Sequence, residues 1–260
     1  ISARAGFYNI NGECQNAADI IDRASTALNI IKKNTNQMYL VYNEEVEKRI
    51  ENQRMVEENF FSALDNEEFI VYYQPKVELR RYSLSGAEAL CRWKHNGKLI
   101  PPGMFIPVLE QNSNICTLDF YMLDHVCQDI RRWLDNGIEP VRISVNISRI
   151  HLGSEGLSQK IMDIIKSHSV PFEYIEIELT ETTSDVAFSD LKKIVKDLHN
   201  VGISTSIDDF GIGYSSLNLI RDLPWNTLKI DKSFLPVRND STVDQKMIML
   251  KYVIAMAQSL

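Results

Sequence analysis

At 260 residues the chain is long enough for one large domain, or for one domain and part of another. Its apolar share of 44% is ordinary for a globular protein, so a sizeable core is expected. A formal charge of −7 argues against binding long nucleic acid, which needs a basic surface, but is silent on a small phosphorylated ligand held through metals. Cys14, Cys91, Cys116 and Cys127 show no C-x-x-C spacing and read as reduced thiols in or near the core of a cytosolic protein. The opening Ile1-Ser2-Ala3-Arg4 is no signal peptide, and Lys246 and Lys251 interrupt the best membrane-span candidate. A cytoplasmic location is expected, with any membrane anchor left to segments upstream.

Residues Ile1 to about Tyr42 read as strand, helix, strand, with the helix near Ala17–Lys33. From Asn43 to about Asn66 the chain is charged, lacks Gly and Pro, and sets Val46, Ile50, Val56, Phe60 and Leu64 near helical spacing. This predicts a linker helix. From Glu67 onward, strand candidates fall at Phe69–Val77, Gly86–Trp93, Val141–Ile147, Tyr174–Thr180, Ser204–Asp208 and Thr227–Ile230. Helical patterns cover Leu118–Asn136, Leu157–His168, Ser184–Asn200, Tyr214–Arg221 and Thr242–Ser259. Arg80–Ser85 is too short for a crossover, so the first two of these strands are expected to pair antiparallel. The rest reads as parallel β/α units, hence an α/β barrel or a doubly wound sheet.

The strand ends carry the chemistry. Alternate strand residues face opposite sides, so Glu176, Glu178 and Thr180 share one face while Ile175, Ile177 and Leu179 share the other. Asn146 stands alone in Ile143-Ser144-Val145-Asn146-Ile147, Lys229 between Leu228 and Ile230, and Glu88 among small residues. The fifth strand ends in Asp208-Asp209. Taken singly these are ordinary: Glu176 as partner of a surface cation, the Asp pair as turn or helix cap, Lys229 as a snorkelling side chain. Together, at five strand ends of a barrel, they would converge on the catalytic mouth. Glu88, Asn146, Glu178, Asp208 and Asp209 form an oxygen-only set suited to Mg²⁺ or Mn²⁺. Adjacent aspartates fit two ions about 3.5–4 Å apart, the layout for phosphodiester hydrolysis. Lys229 would orient or activate the attacking water, or offset charge in the transition state. Gly211-Ile212-Gly213 lacks a third glycine and follows two aspartates, so it reads as a loop beside the metals rather than a dinucleotide cradle.

Seven segments in order resemble the EAL phosphodiesterase family. They are Tyr73-Gln74-Pro75, Glu88-Ala89-Leu90 with Arg92-Trp93, Phe105-Ile106-Pro107, Val145-Asn146-Ile147-Ser148, Glu178-Leu179-Thr180-Glu181, Asp208-Asp209-Phe210-Gly211 and Leu228-Lys229-Ile230-Asp231. The resemblance implies a (β/α)8 TIM-like barrel with its first strand antiparallel, over residues 67–260. It implies hydrolysis of cyclic di-GMP to linear pGpG with Mg²⁺ or Mn²⁺. Glu88, Asn146, Glu178 and Asp208 would hold the first metal, Asp208 would bridge to a second, and Asp209 would be a further ligand. Lys229 would contact the nucleophilic water, and Gln74 and Arg92 the bound ligand. Glu181 would brace the loop Phe210–Ser216, which in this family links the active site to homodimer contacts. Ile212 stands where the family usually has Thr, which would alter that link. The family also has two more strands, one bearing a metal-ligating Glu, and these are expected beyond Leu260.

Residues 1–42 resemble, more faintly, the C-terminal remnant of a GGDEF domain, through Ala18-Asp19, Arg23-Ala24, Ala27-Leu28 and Lys32-Lys33. Ser25 replaces the usual Asp, and cyclase activity is not expected from this segment. Residues 43–66 would then link it to the barrel. Three functions compete: a cyclic di-GMP phosphodiesterase, a receptor that binds without hydrolysis, and an unrelated metal-dependent barrel enzyme.

Overall fold

The computed structural model describes residues 3–10, 16–33, 37–180, 185–210, 220–235 and 243–259. The chain divides into two compact units, Ile1–Ser62 and Ala63–Leu260. In the first, β1 (Ala5–Tyr8), α1 (Ala17–Lys33) and β2 (Tyr39–Tyr42) follow the expected strand–helix–strand order, and β1 pairs parallel with β2. The helix lies so close to β1 that a Cβ on Gly6 would sit 2.2 Å from the Ala24 carbonyl oxygen. Only glycine fits there. Arg4 donates to the Ile31 and Lys32 carbonyls at 3.2 and 3.1 Å, satisfying acceptors that the end of α1 leaves open. The helix expected from Asn43 to about Asn66 is α2 (Glu44–Asp65). Asn43 caps it, its side chain accepting from the Val46 N–H at 2.9 Å, with Glu44, Glu45 and Glu47 in the first turn.

The second unit is built on one sheet of β3 (Phe69–Glu78), β4 (Ser83–His95), β5 (Lys98–Ile100), β6 (Ile143–Ile147), β7 (Ile175–Thr180), β8 (Ser204–Phe210) and β9 (Thr227–Ile230). β3 runs antiparallel to β4, and β4, β6, β7, β8 and β9 follow as parallel neighbours in chain order. A doubly wound sheet reverses its strand order at a switch point. This one does not reverse, so the two architectures left open by periodicity resolve to the β/α barrel type. Among the described residues the path runs from β3 to β9 without closing. The helices of this unit are α3 (Pro102–Gln111), α4 (Ile115–Asp135), α5 (Leu157–Ser167), α6 (Asp185–Asn200) and α7 (Val243–Ser259). Most of the helix expected over Tyr214–Arg221 lies outside the described residues. Among those described, no helix is long and apolar enough to cross a membrane.

The core lies between the outer face of the parallel strands and the helices. Ile143, Val145 and Ile147 of β6 and Ile175, Ile177 and Leu179 of β7 are buried in one cluster with Leu123, Val126, Cys127 and Ile130 of α4. Ile161 and Ile165 of α5 and Val195 and Leu198 of α6 complete it. This outer packing turns the other residue of each strand pair inward. A second aromatic group seals the end of β4: Trp93 stacks on Phe69 with centroids 5.1 Å apart and meets Phe105 edge-on at 5.8 Å. Its indole N–H donates to Glu68 at 2.9 Å. Trp93 is fully buried. Trp93→Ala is expected to cost about 3–5 kcal/mol, read as a lower urea midpoint, because it opens a cavity in the aromatic group.

Candidate metal centre

The inward residues come together by register. Gln74 pairs with Glu88, Glu88 with Ser144, Asn146 with Glu178, and Thr180 with Asp208. Because paired residues share a face, Glu88, Asn146, Glu178 and Asp208 line one side of four adjacent strands. Carboxylate oxygens of Glu88, Glu178 and Asp208 all lie within 4.8 Å of one another. Asn146 donates to Glu88 Oε1 at 3.0 Å. Lys229, on β9, reaches all three carboxylates: Glu88 and Asp208 at 3.1 Å, and Glu178 Oε2 in a shorter contact.

Glu178 has no side-chain exposure. Burial alone would push its carboxyl up, but hydrogen bonds from Lys229, Ser144 and Lys76 outweigh that and hold it below the ordinary glutamate value. Burial likewise acts to lower Lys229. The hydrogen bond and charge of Glu178, with the charges of Asp208 and Glu88, prevail and hold the ammonium above its ordinary value. The pair is therefore a fully charged one in a largely dry setting.

Asp209 stands apart from this group. The β8–β9 register shifts between Ile207 and Phe210, and Asp209 takes a left-handed φ of 53°. The bulge turns its side chain out to an exposed position at the rim, while its N–H donates to Asp208 at 2.9 Å. Burial of part of the carboxyl, together with the charges of Asp208 and Asp231, raises its pKa. Gln74 is exposed, directly opposite Glu88. Arg92 shares the Glu88 face of β4 but donates to the Cys91 carbonyl at 2.8 Å, and its guanidinium lies 5.5 Å from the Tyr72 ring centre. Glu181, Gly211, Ile212 and the rest of the loop up to Ser216 lie outside the described residues.

Two members escaped the sequence reading. Lys76 of β3 bridges Glu176 at 3.1 Å and Glu178 at 2.9 Å. Glu176 does find a basic partner, as expected of a lone strand glutamate, but in a buried place: its side chain is 6% exposed. The available signal was period two, since Lys76 follows Gln74 by two residues and so shares its face. Beyond β6, Asp119 of α4 accepts from the Ser148 N–H at 2.8 Å and lies 3.1 Å from His151 Nε2, which ties down the turn that follows Asn146.

The EAL domain family matches residues 57–260, and the chain belongs to that family. It is 34% identical over 223 residues to the signaling protein YkoW of Bacillus subtilis, spanning 84% of this chain and 27% of that protein. It is 31% identical over 236 residues to the bifunctional diguanylate cyclase/cyclic di-GMP phosphodiesterase MucR of Pseudomonas aeruginosa, spanning 90% of this chain and 34% of that protein. The chain thus spans about a third of the length of these curated relatives. A solved structure of the PaMucR phosphodiesterase in complex with c-di-GMP superposes with a TM-score of 0.72 at 31% identity, covering 79% of this chain and 83% of that one.

The depressed carboxyl of Glu178 ties stability to acidity. A group whose folded pKa lies below its unfolded value stabilises above the unfolded value, and that stability is lost as pH falls through the folded one. In chelator, the melting temperature is therefore expected to fall as pH drops from about 5 to about 3, and to fall less steeply in Glu178→Gln. Parallel slopes would mean that the pairing with Lys229 and Lys76 is not retained in solution.

Proposed function

We propose that the second unit hydrolyses cyclic di-GMP to linear pGpG with Mg²⁺ or Mn²⁺. The observation that carries this is the convergence of Glu88, Glu178 and Asp208 within 4.8 Å, with the Lys229 ammonium against all three. The donor set fits a hard divalent cation, since every candidate ligand offers oxygen. Charge supports the same ion: among the described residues, the ion pairs of Glu88, Glu176, Glu178 and Asp208 run to Lys76 and Lys229, which leaves an excess of negative charge to be met. An anionic phosphodiester would be repelled by this site without a cation.

Glu88, Asn146, Glu178 and Asp208 would hold the first ion, and Asp209, at the rim, would serve a second shared through Asp208. When bound, the ions supply Lewis acidity toward the phosphate and a water of lowered pKa. Without an ion the carboxylate neighbours hold the Lys229 ammonium above its ordinary value, and beside bound ions Lys229 would serve as a hydrogen-bond donor, a positive charge or an activator of the water. It would orient or activate the attacking water, or offset charge building on the phosphoryl oxygens. Gln74, opposite Glu88, and Arg92, further along the same face of β4, would bind the ligand. Glu181 would brace the loop that follows β8 and couple it to a homodimer.

The same reading makes residues 1–42 the end of a GGDEF-like domain and 43–66 its linker, within a longer cytoplasmic signalling protein. The parallel β–α–β order of the first unit supports it, as does the match to the bifunctional MucR across 90% of this chain.

Chromatographic assay of cyclic di-GMP turnover with Mg²⁺ or Mn²⁺ tests the proposal. Turnover is expected to stop in chelator and to fall at least about a hundredfold in Glu88→Ala. Binding of cyclic di-GMP without turnover would favour the receptor instead. Absence of both binding and turnover would overturn the proposal.

A further inference from the structure

The metal-centre reading gives Glu176 no task, yet the chain buries it at 5% exposure one pleat from Glu178. Its two oxygens are divided: Oε1 accepts from Lys76 at 3.1 Å and Oε2 from the Thr227 hydroxyl at 3.2 Å. Lys76 is equally constrained. It enters at a bulge, where Lys76 pairs with Gly86 but Val77 pairs with Leu84, leaving Ser85 unopposed. The Ser85 hydroxyl donates to the Lys76 carbonyl at 3.1 Å. The residue opposite must be glycine, because a Cβ at Gly86 would lie 2.9 Å from the Arg142 carbonyl oxygen. From the inward face that it shares with Gln74, the lysine reaches across the sheet to β7, onto two carboxylates that are 6% and 0% exposed. This is not a surface ion pair, whose effect would be small.

Lys76 holds Glu178 by Oε1, whereas Oε2 faces Lys229 and the carboxylate cluster. A lysine beside a metal ligand is double-edged. It orients the carboxylate but competes with the ion for its negative charge. Resting on the metal-centre reading, we propose that Glu176 is a positioning residue that neutralises Lys76, so that Lys76 orients Glu178 without drawing its charge away from the ion. Thr227 fixes Glu176 in turn, and the chain Thr227–Glu176–Lys76–Glu178 sets both the geometry and the charge offered to the cation.

The test is Mn²⁺ affinity, measured by titration calorimetry and by the spin-resonance signal of free Mn²⁺ at fixed pH and salt. In Glu176→Gln, Lys76 keeps a hydrogen-bond acceptor but loses its counter-charge, and Mn²⁺ binding is expected to weaken about tenfold. The double variant Lys76→Met with Glu176→Gln removes one charge of each sign, and affinity is expected to return to within about threefold of the unaltered protein. Melting curves of each variant separate loss of affinity from loss of fold. A residue that merely packs would leave Mn²⁺ affinity unmoved. Unchanged affinity in Glu176→Gln, or a double variant as weak as the single one, would overturn the inference while leaving the metal centre intact. If the unaltered protein bound no Mn²⁺, or bound it equally well as Glu178→Gln, the metal-centre reading would fail and this inference with it.

Discussion

The carboxylate of Glu178, with no side-chain exposure, is gripped from one side by Lys76 and from the other by Lys229. A buried carboxylate is tolerated only when its charge is met and its oxygens are bonded. Here the two lysines do both, and each comes from a strand far away in the chain. Their reach also sets the local charge. Among the described residues, four inward carboxylates pair with two ammonium groups, and a divalent ion would offset the excess of negative charge. Glu178 is thus paired on both oxygens, while the cluster is still short of positive charge. That combination suits a site built to take up a cation.

The sheet makes this arrangement through its register. Parallel pairing of β4, β6, β7 and β8 places Glu88, Asn146, Glu178 and Asp208 on one face. The apolar alternates pack outward on α4, α5 and α6. A slip of one residue in any strand would exchange the two sets, so core packing and the metal cluster specify the same register. Two irregularities then adjust the result. Just past Lys76 the pairing shifts and leaves Ser85 unopposed, and a second shift at Asp208–Asp209 leaves Asp208 in the cluster and Asp209 exposed.

Much of this was legible in the residues. Alternation in Ile143–Ile147 and Ile175–Thr180 identified both the strands and their inward polar members, because a strand buried on its outer face must show that period. The order of strand ends carrying Glu88, Asn146, Glu178, Asp208 and Lys229 gave the cluster before any distance was known. What stayed hidden depended on partners far apart in sequence or on backbone detail. Lys76 and Glu176 are separated by 100 positions, and nothing local to either announces the other. The direction of Asp209 depends on a positive φ that its sequence neighbours do not dictate. α3 was missed because two prolines, Pro102 and Pro107, lie within its ten residues, one tolerated in the first turn and one against propensity. β5 has three residues and no periodicity to read.

The most direct test of the account is crystallographic: anomalous diffraction from crystals grown with Mn²⁺. The account predicts an ion within about 2.2 Å of oxygens of Glu88, Glu178 and Asp208, with Lys76 still on the other oxygen of Glu178. A site left to Lys229 alone at high Mn²⁺, or an ion bound elsewhere on the barrel, would contradict it.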